Sequence, residues 1–336
     1  MMAAVQSPLD DLDLLLRSVD DVEVERDVPA ARLCTYRVGG PISLLIRLSR
    51  RSALDAVVTA LSVAGVPMIA IGKGSNLLVA DAGFDGVGLV LDDEFSSIDV
   101  KDGEMVQLGG SVALPVAARA TVNAGLTGFE WAVGVPGTIG GAVRMNAGGH
   151  GSDMAASLVD VEIADFMSGS IITRSVDSLD LSYRRSNVER HELVISAQLQ
   201  LEPLESATGL AGAELLKDIV GWRREHQPGG ANAGSVFTNP PDDSAGRLID
   251  VAGLKGHRIG SAEVSTKHAN FIQADPDGSA DDVMALMVEI VDELDHRFGV
   301  RLHAETRLVG FDPALVNRVQ AKPVAPGEPT EAGEKN

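Results

Sequence analysis

Polar and apolar positions along the chain change period repeatedly, and each change marks an element. Leu9, Leu12, Leu15 and Leu16 recur at helical spacing, so a short amphipathic helix is expected, followed by an acidic connector up to Asp27. Residues 42–48 form an apolar run typical of a strand, residues 52–64 a helix with Leu54, Val57, Val58 and Leu61 inward, and residues 67–71 a second strand. That is a β-α-β unit. Short apolar runs over 86–112, broken by Gly103 and Gly109-Gly110, predict further strands, and residues 113–125 a helix with Val116, Ala117, Ala120 and Val122 apolar. Strand patterns return at 158–164, 171–174 and 193–201, and residues 202–212 have the Pro/Gly content of a linker.

Beyond that linker, helices are predicted at 213–224, 244–251 and 279–298, with strand-like segments at 258–264 and 270–273. The longest helix carries Val283, Leu286, Met287, Ile290, Val291 and Leu294 on one face. Residues 301–309 alternate: Leu302, Ala304, Thr306 and Leu308 share one face of a last strand, Arg301, His303, Glu305 and Arg307 the other. From Pro313 onward the composition is that of a disordered tail. The pattern predicts an N-terminal helix and connector (1–27), a mixed α/β region up to residue 203, a second region (204–300), a final strand (301–312) and a tail (313–336).

Charge narrows the partners. The 336 residues hold 28 Lys+Arg against 48 Asp+Glu, a net −20, which argues against a nucleic-acid or anionic-membrane partner. Residues 217–268 depart from this, with seven Lys+Arg, six Asp+Glu and three histidines, His226, His257 and His268. An anionic substrate is expected there, with chance clustering as the alternative. Cys34 is the single cysteine, so neither a disulfide framework nor a thiolate metal site is available, and no metal-ligand spacing stands out. The N-terminus has no basic segment ahead of its apolar residues and no apolar run reaches membrane-spanning length, which together predict a cytoplasmic protein.

Two glycine-rich stretches are the candidates for chemistry. Residues 134–151, GVPGTIGGAVRMNAGGHG, hold seven glycines, which lets several backbone N–H groups approach one ligand such as a pyrophosphate. Gly134, Gly137, Gly140 and Gly141 do not have the dinucleotide-fold spacing, and a plain surface loop is the competing interpretation. Residues 72–76, GKGSN, follow a predicted strand; their backbone donors, the outward Ser75 and Asn76 side chains and Lys73 make a phosphate cradle, or only a turn. Arg184-Arg185 could clamp a carboxylate, Ser235 could donate a proton, and Glu305 lies on a wholly polar strand face that is either solvent or a site.

Taken in order, Thr35 with Gly39-Gly40, GKGSN at 72–76, VPGTIGGAVRMNAGGHG at 135–151, SYRRS at 182–186, NAGSVFTNP at 232–240, GHRIGSAEVSTKHANFI at 256–272 and RLHAETRLVG at 301–310 resemble the UDP-N-acetylenolpyruvoylglucosamine reductase family. The resemblance spans about Arg32 to Gly310. It implies an α+β protein with an FAD-binding region of the vanillyl-alcohol-oxidase type in two α/β subdomains (28–203), a C-terminal α/β substrate-binding domain (204–300), NADPH as hydride donor and a sugar-nucleotide substrate; no oligomeric partner is evident from the sequence. Gly72, Lys73, Gly74, Ser75 and Asn76, with Gly137, Thr138, Gly140, Gly141, Asn146 and Gly148, would hold FAD. Ser75 stands where covalent flavoproteins of the wider fold carry a histidine, so the FAD is expected to be noncovalent. Arg184, Ser235 and Glu305 match the family's catalytic positions, and Tyr183, Asn239, Arg224 and His226 would contact substrate. The only tyrosines are Tyr36 and Tyr183, which matches the subtype lacking a tyrosine-bearing loop. His226, Thr238 and His150 depart from the usual lysine, lysine and tyrosine. The rival expectations are a flavin oxidase of small alcohols and a sugar-nucleotide sensor without catalysis.

Overall fold

The computed structural model describes residues 7–101, 103–204 and 210–320. Ser7 starts the first helix, α1 (Pro8–Leu16), through a capping box with Asp10, and the helix buries Leu12 and Leu16. Leu15 is 53% exposed, so the buried stripe is narrower than predicted. The acidic connector is a strand, β1 (Val22–Pro29), antiparallel to β2 (Pro41–Leu48). Its acids obscure two buried positions, Val24 and Val28, which enter different cores, while Glu23, Arg26 and Asp27 are exposed. Helix α2 (Leu54–Ala64) then leads to β3 (Met68–Ala70), and after β4 (Leu77–Val79) the chain enters β5 (Phe84–Leu91). Strands β2 and β3 both lie parallel to β5, giving the sheet order β1-β2-β5-β3 and leaving β4 free to pair elsewhere.

A second region begins with β6 (Ile98–Val100) and β7 (Met105–Gly109), followed by α3 (Leu114–Asn123) and the two-residue β8 (Leu126–Thr127). Val116 of α3 is 53% exposed, and Ala118 and Thr121 take the inward positions beside Ala117 and Val122. The glycine-rich stretch is only partly a loop, because α4 (Ile139–Met145) lies inside it, started by Thr138, whose side chain accepts the Gly141 N–H. After it come β9 (Gly148–Gly149), β10 (Ser152–Asp153), β11 (Leu158–Asp165), β12 (Ser170–Ser175), β13 (Glu192–Gln200) and β14 (Glu202–Pro203). The main sheet is antiparallel throughout, ordered β12-β11-β13-β7-β6. Part of the predicted linker, residues 205–209, lies outside the described residues.

Helix α5 (Leu210–His226) crosses the edge expected near residue 204: its Ile219 packs in the core of the second region with Phe129, Trp131 and Val133. A helix must bury its apolar stripe against whatever surface is nearest, and here that surface is the segment before the glycine-rich stretch. The third region holds α6 (Ala245–Val251), the meander β15 (Arg258–Ile259), β16 (Ala262–Val264) and β17 (Ile272–Ala274), and α7 (Ala280–Phe298). All six predicted inward residues of α7 are buried, in one core with Val28, Tyr36 and Leu78 of the first region. Asp81 fixes that contact, accepting the Ala280 N–H at 2.9 Å at the start of α7. Among residues 301–309 only β18 (Arg307–Val309) is a regular strand, parallel to β4, although burial alternates over the whole segment as predicted. The tail is ordered at its start, where α8 (Pro313–Gln320) buries Val319 completely; residues 321–336 lie outside the described residues.

Candidate active site

Three distant segments cross at Glu305. Its backbone N–H donates to the Val236 carbonyl at 2.9 Å, and its own carbonyl accepts the Asn76 Nδ2 at 3.0 Å. Two residues on, the Arg307 N–H donates to the Asn76 carbonyl at 2.9 Å. The serine loop therefore lies on one side of Glu305 and the GKGSN turn on the other. Next to Val236, Ser235 follows a tight turn in which the Gly234 N–H (φ +76°) donates to the Asn232 side chain at 3.0 Å.

Arg184 arrives from a third direction. Ser182 and Arg185 exchange two backbone hydrogen bonds of 3.0 Å each, and inside this turn Arg184 takes a left-handed φ of +57°, uncommon for a residue with a side chain. The turn is fastened to the end of α4, because Asn146 Nδ2 donates to the Ser182 carbonyl at 3.0 Å. Arg184 Nη2 donates to the Gly148 carbonyl at 3.1 Å, and its Nε lies 3.2 Å from Glu305 Oε2. That Nε contact is close but not aligned as a hydrogen bond, since Oε2 is buried without a hydrogen-bond partner. Burial pushes the Glu305 carboxyl above the usual carboxylate range, and the Arg184 charge offsets only part of the rise. The site thus holds a cation beside a carboxyl biased toward its neutral form.

Ser235, Arg184 and Glu305 open onto one cleft of about 1090 Å³, together with Gly72 to Asn76 and Gly134 to Thr138. The two glycine-rich segments touch: a Cβ on Gly72 would lie 2.5 Å from Thr138 Oγ1, and Ser75 Oγ donates to the Pro136 carbonyl at 2.9 Å. Only glycine permits that approach. A second cavity of about 510 Å³ shares Gly72, Lys73, Thr138, Gly141 and Arg144 with the cleft and also reaches Gly140. Adjoining cavities around exposed backbone fit an elongated dinucleotide whose pyrophosphate rests on the loops. Among the described residues, no cluster of His, Cys, Asp and Glu could hold a metal, and no helix is long and apolar enough to cross a membrane.

Several expected contacts fall elsewhere. The Ser75 and Asn76 side chains turn inward to Pro136 and Glu305 instead of outward. Asn146 is buried, with both Nδ2 hydrogens on Asp153 and Ser182 and its Oδ1 accepting the Ala155 N–H, so it braces the site from behind. Asn239 accepts the Ala245 N–H at the start of α6, outside both cavities. Tyr183 is 62% exposed and lies under the Arg184 guanidinium, off the cleft lining. Arg224 and His226 also miss the lining, whereas Trp222, Arg223 and Gln227 belong to it. The reason is helical phase: Ile219, Arg223 and Gln227 follow one another at four-residue spacing, and that stripe faces the protein. The departures His150 and His226 both contact Trp222, with ring centroids 5.2 and 4.7 Å away. Arg144, Arg190 and Arg307 line the cleft as well. Arg307 was legible from its phase with Glu305, but nothing local marked the other two.

An FAD binding domain model matches residues 42–175, which defines the class: a flavin-dependent oxidoreductase with the expected α+β architecture. A second model, for the C-terminal domain of UDP-N-acetylenolpyruvoylglucosamine reductase, matches residues 226–309 and so takes in the last strand with Glu305. The chain is 38% identical to UDP-N-acetylenolpyruvoylglucosamine reductase 2 of Symbiobacterium thermophilum, covering 89% of this chain and 96% of that protein. The UDP-N-acetylenolpyruvoylglucosamine reductase of a Synechococcus strain is 40% identical over 86% of this chain and 94% of its own length. The crystal structure of the Thermus caldophilus enzyme superposes with a TM-score of 0.73 at 33% identity, covering 86% of this chain and 99% of the other. The chain belongs to the UDP-N-acetylenolpyruvoylglucosamine reductase family.

Proposed function

We propose that the protein reduces UDP-N-acetylglucosamine enolpyruvate to UDP-N-acetylmuramate, a step in making peptidoglycan precursors, with NADPH as reductant and FAD held noncovalently. The observation that carries this reading is the convergence of Ser235, Arg184 and Glu305 on a single cleft walled by both glycine-rich segments. The backbone of Gly72 to Asn76 and of Gly137 to Gly141 would hold the flavin nucleotide through its pyrophosphate. When bound, FAD carries the electrons of NADPH to substrate C3 as a hydride from N5.

The chain's own residues manage the charge and the proton. Hydride addition at C3 builds negative charge at C2 and on the attached carboxylate, and the Arg184 guanidinium, which donates to the Gly148 carbonyl, would hold that carboxylate. Ser235 delivers a proton to C2; an alkyl hydroxyl is a weak acid, so it acts only on a strongly basic carbon. Glu305, whose carboxyl burial pushes above the usual range, would in its protonated form donate a hydrogen bond to the developing charge instead of repelling it.

The test is a visible spectrum of the purified protein under anaerobic conditions. Flavin absorbance that bleaches with NADPH and returns with the enolpyruvyl sugar nucleotide is the expected result. A flavin that bleaches with NADPH but ignores the sugar nucleotide would discard the substrate, and reduction by a simple alcohol in place of NADPH would revive the oxidase.

A further inference from the structure

Helix α8 lies past every motif that carries the family resemblance, in the stretch whose composition predicted a tail. Local chemistry starts it: Asp312 Oδ1 accepts the Ala314 N–H at 2.8 Å, and Pro313 takes the first helical position, where no N–H is needed. Val316 and Val319, one turn apart, pack against the core that also holds Leu302, Ala304 and Leu308. On the outside Arg318 meets Asp292 of α7 through Nε at 2.9 Å and Nη2 at 2.6 Å. The helix is therefore seated, and its seat is the segment that bears Glu305.

The last carbonyls of a helix have no partner inside it. In α8 the Arg318 carbonyl accepts Arg301 Nη2 at 2.8 Å, and the Val319 carbonyl accepts the Ala304 N–H, also at 2.8 Å. Gln320 adds a side-chain bond, its Nε2 donating to the Thr306 carbonyl at 2.7 Å. Ala304 and Thr306 are the two neighbours of Glu305, and both are buried, so neither backbone group can turn to solvent instead. Backbone groups of an extended chain point alternately to its two edges. The His303 carbonyl and the Glu305 N–H go to the serine loop, meeting the Thr238 N–H and the Val236 carbonyl at 2.9 Å each, whereas Ala304 and Thr306 turn to the end of α8.

We propose that α8 is a positioning element for Glu305, with Val319 and Gln320 fixing the backbone on either side of that residue. The inference rests on the function proposed above, in which Glu305 acts on the substrate. Fixed neighbours limit the directions open to the Glu305 side chain and so hold its carboxyl beside Arg184. They also preserve the burial that raises this carboxyl against the opposing charge of Arg184. Val236 and Asn76, bonded to the Glu305 backbone, do not titrate, and Arg318 of α8 is occupied by Asp292.

The experiment compares Gln320→Met, which keeps the side-chain length and removes the donor, with Gln320→Lys, which restores a donor, and with Leu315→Ala on the exposed face of α8. In stopped flow, Gln320→Met is expected to leave flavin reduction by NADPH near its wild-type rate and to slow reoxidation by the enolpyruvyl sugar nucleotide about tenfold. Reoxidation that uses the protonated carboxyl declines as pH rises; a loosened segment admits water to Glu305 and lowers its pKa, so this decline moves to lower pH. In a Glu305→Gln background Gln320→Met is expected to cost nothing further. Gln320→Lys recovers most of the rate, and Leu315→Ala matches wild type. Slowing with the pH profile unmoved, or of equal size in the Glu305→Gln background, makes α8 a purely structural helix and overturns the proposal, as do wild-type kinetics in Gln320→Met. Hydrogen exchange keeps the question separate from catalysis: the Ala304 amide is expected to be protected in wild type and to exchange faster in Gln320→Met. An unprotected Ala304 amide in wild type overturns the proposal even if Gln320→Met does not fold. A wild type whose flavin ignores the sugar nucleotide sinks the proposed function, and protection of the Ala304 amide then still supports the hold of α8 on this segment.

Discussion

Two basic regions of this molecule behave in opposite ways. Residues 217–268 concentrate seven Lys+Arg in the sequence, yet three of them are neutralised close by: Arg247 by Asp243 one turn away, Lys255 by Asp250, Arg258 by Glu263 and Asp275. His257 meets Glu289 of α7, and Lys267 caps the Arg224 carbonyl. Of that region only Arg223 joins the arginines of the cleft. The cleft's other arginines are at 144, 184, 190 and 307, and of these only Arg184 meets a carboxylate, Glu305. What matters for binding an anion is therefore charge left uncompensated in a cavity, not charge density along the chain.

The sharpest break of this comparison is expected at the residues proposed to act on the substrate. Ser235→Ala leaves flavin reduction by NADPH close to its normal rate and slows reoxidation by the enolpyruvyl substrate by about 10²- to 10⁴-fold. Stopped-flow measurement of the two half-reactions separates these, and equal slowing of both would remove Ser235 from the proton-donor role. Arg184→Gln is expected to cost about 10²- to 10³-fold in the same half-reaction, the usual effect of deleting one preorganised donor.

A smaller effect concerns pH. The Glu305 carboxyl is raised by burial, so reoxidation should decline as pH rises through that elevated pKa. Arg184 holds the value down, so Arg184→Gln should move the limb to higher pH, and Glu305→Gln should erase it. Stability supplies an independent readout of sign. Because the folded protein keeps this proton longer than the unfolded chain, wild type loses stability relative to Glu305→Gln as pH climbs from the unfolded to the folded pKa, then levels off. A difference that grows toward acid pH would mean the carboxyl is ionised more readily in the fold. The smallest effect belongs to the basic region: Arg258→Gln, an exposed pair, should change neither melting temperature nor substrate KM measurably. A large rise in KM there would collapse the distinction between the two regions.

The sequence carried much of the site because its motifs are turns and strand ends whose chemistry is local. The GKGSN turn, the NAGS turn and the alternation over 301–309 each appear where expected, and Glu305 and Arg307 fall on the polar face the alternation assigned them. Local pattern misled where a second surface decided the outcome. The acidic β1 became a strand because β2 offered it a partner, and the start of the tail became α8 because Val319 found a buried place. Likewise the resemblance points to Arg224 and His226, whereas the docking of α5 through Ile219 sets Arg223 toward the cleft.

By itself the sequence determined most element types outside the acidic connector, the last strand and the tail, the order of the motifs and the family, because hydrophobic period, glycine placement and residue order are one-dimensional properties. Only the tertiary structure decided that Asn76 braces Glu305, that Asn146 and Asn239 hold backbone in place away from the cleft, and that arginines at 144, 190 and 307 share a wall. The Asn76–Glu305 contact exists only because residues 229 positions apart are brought within hydrogen-bonding distance, and solvation at that point follows from packing that no single segment encodes.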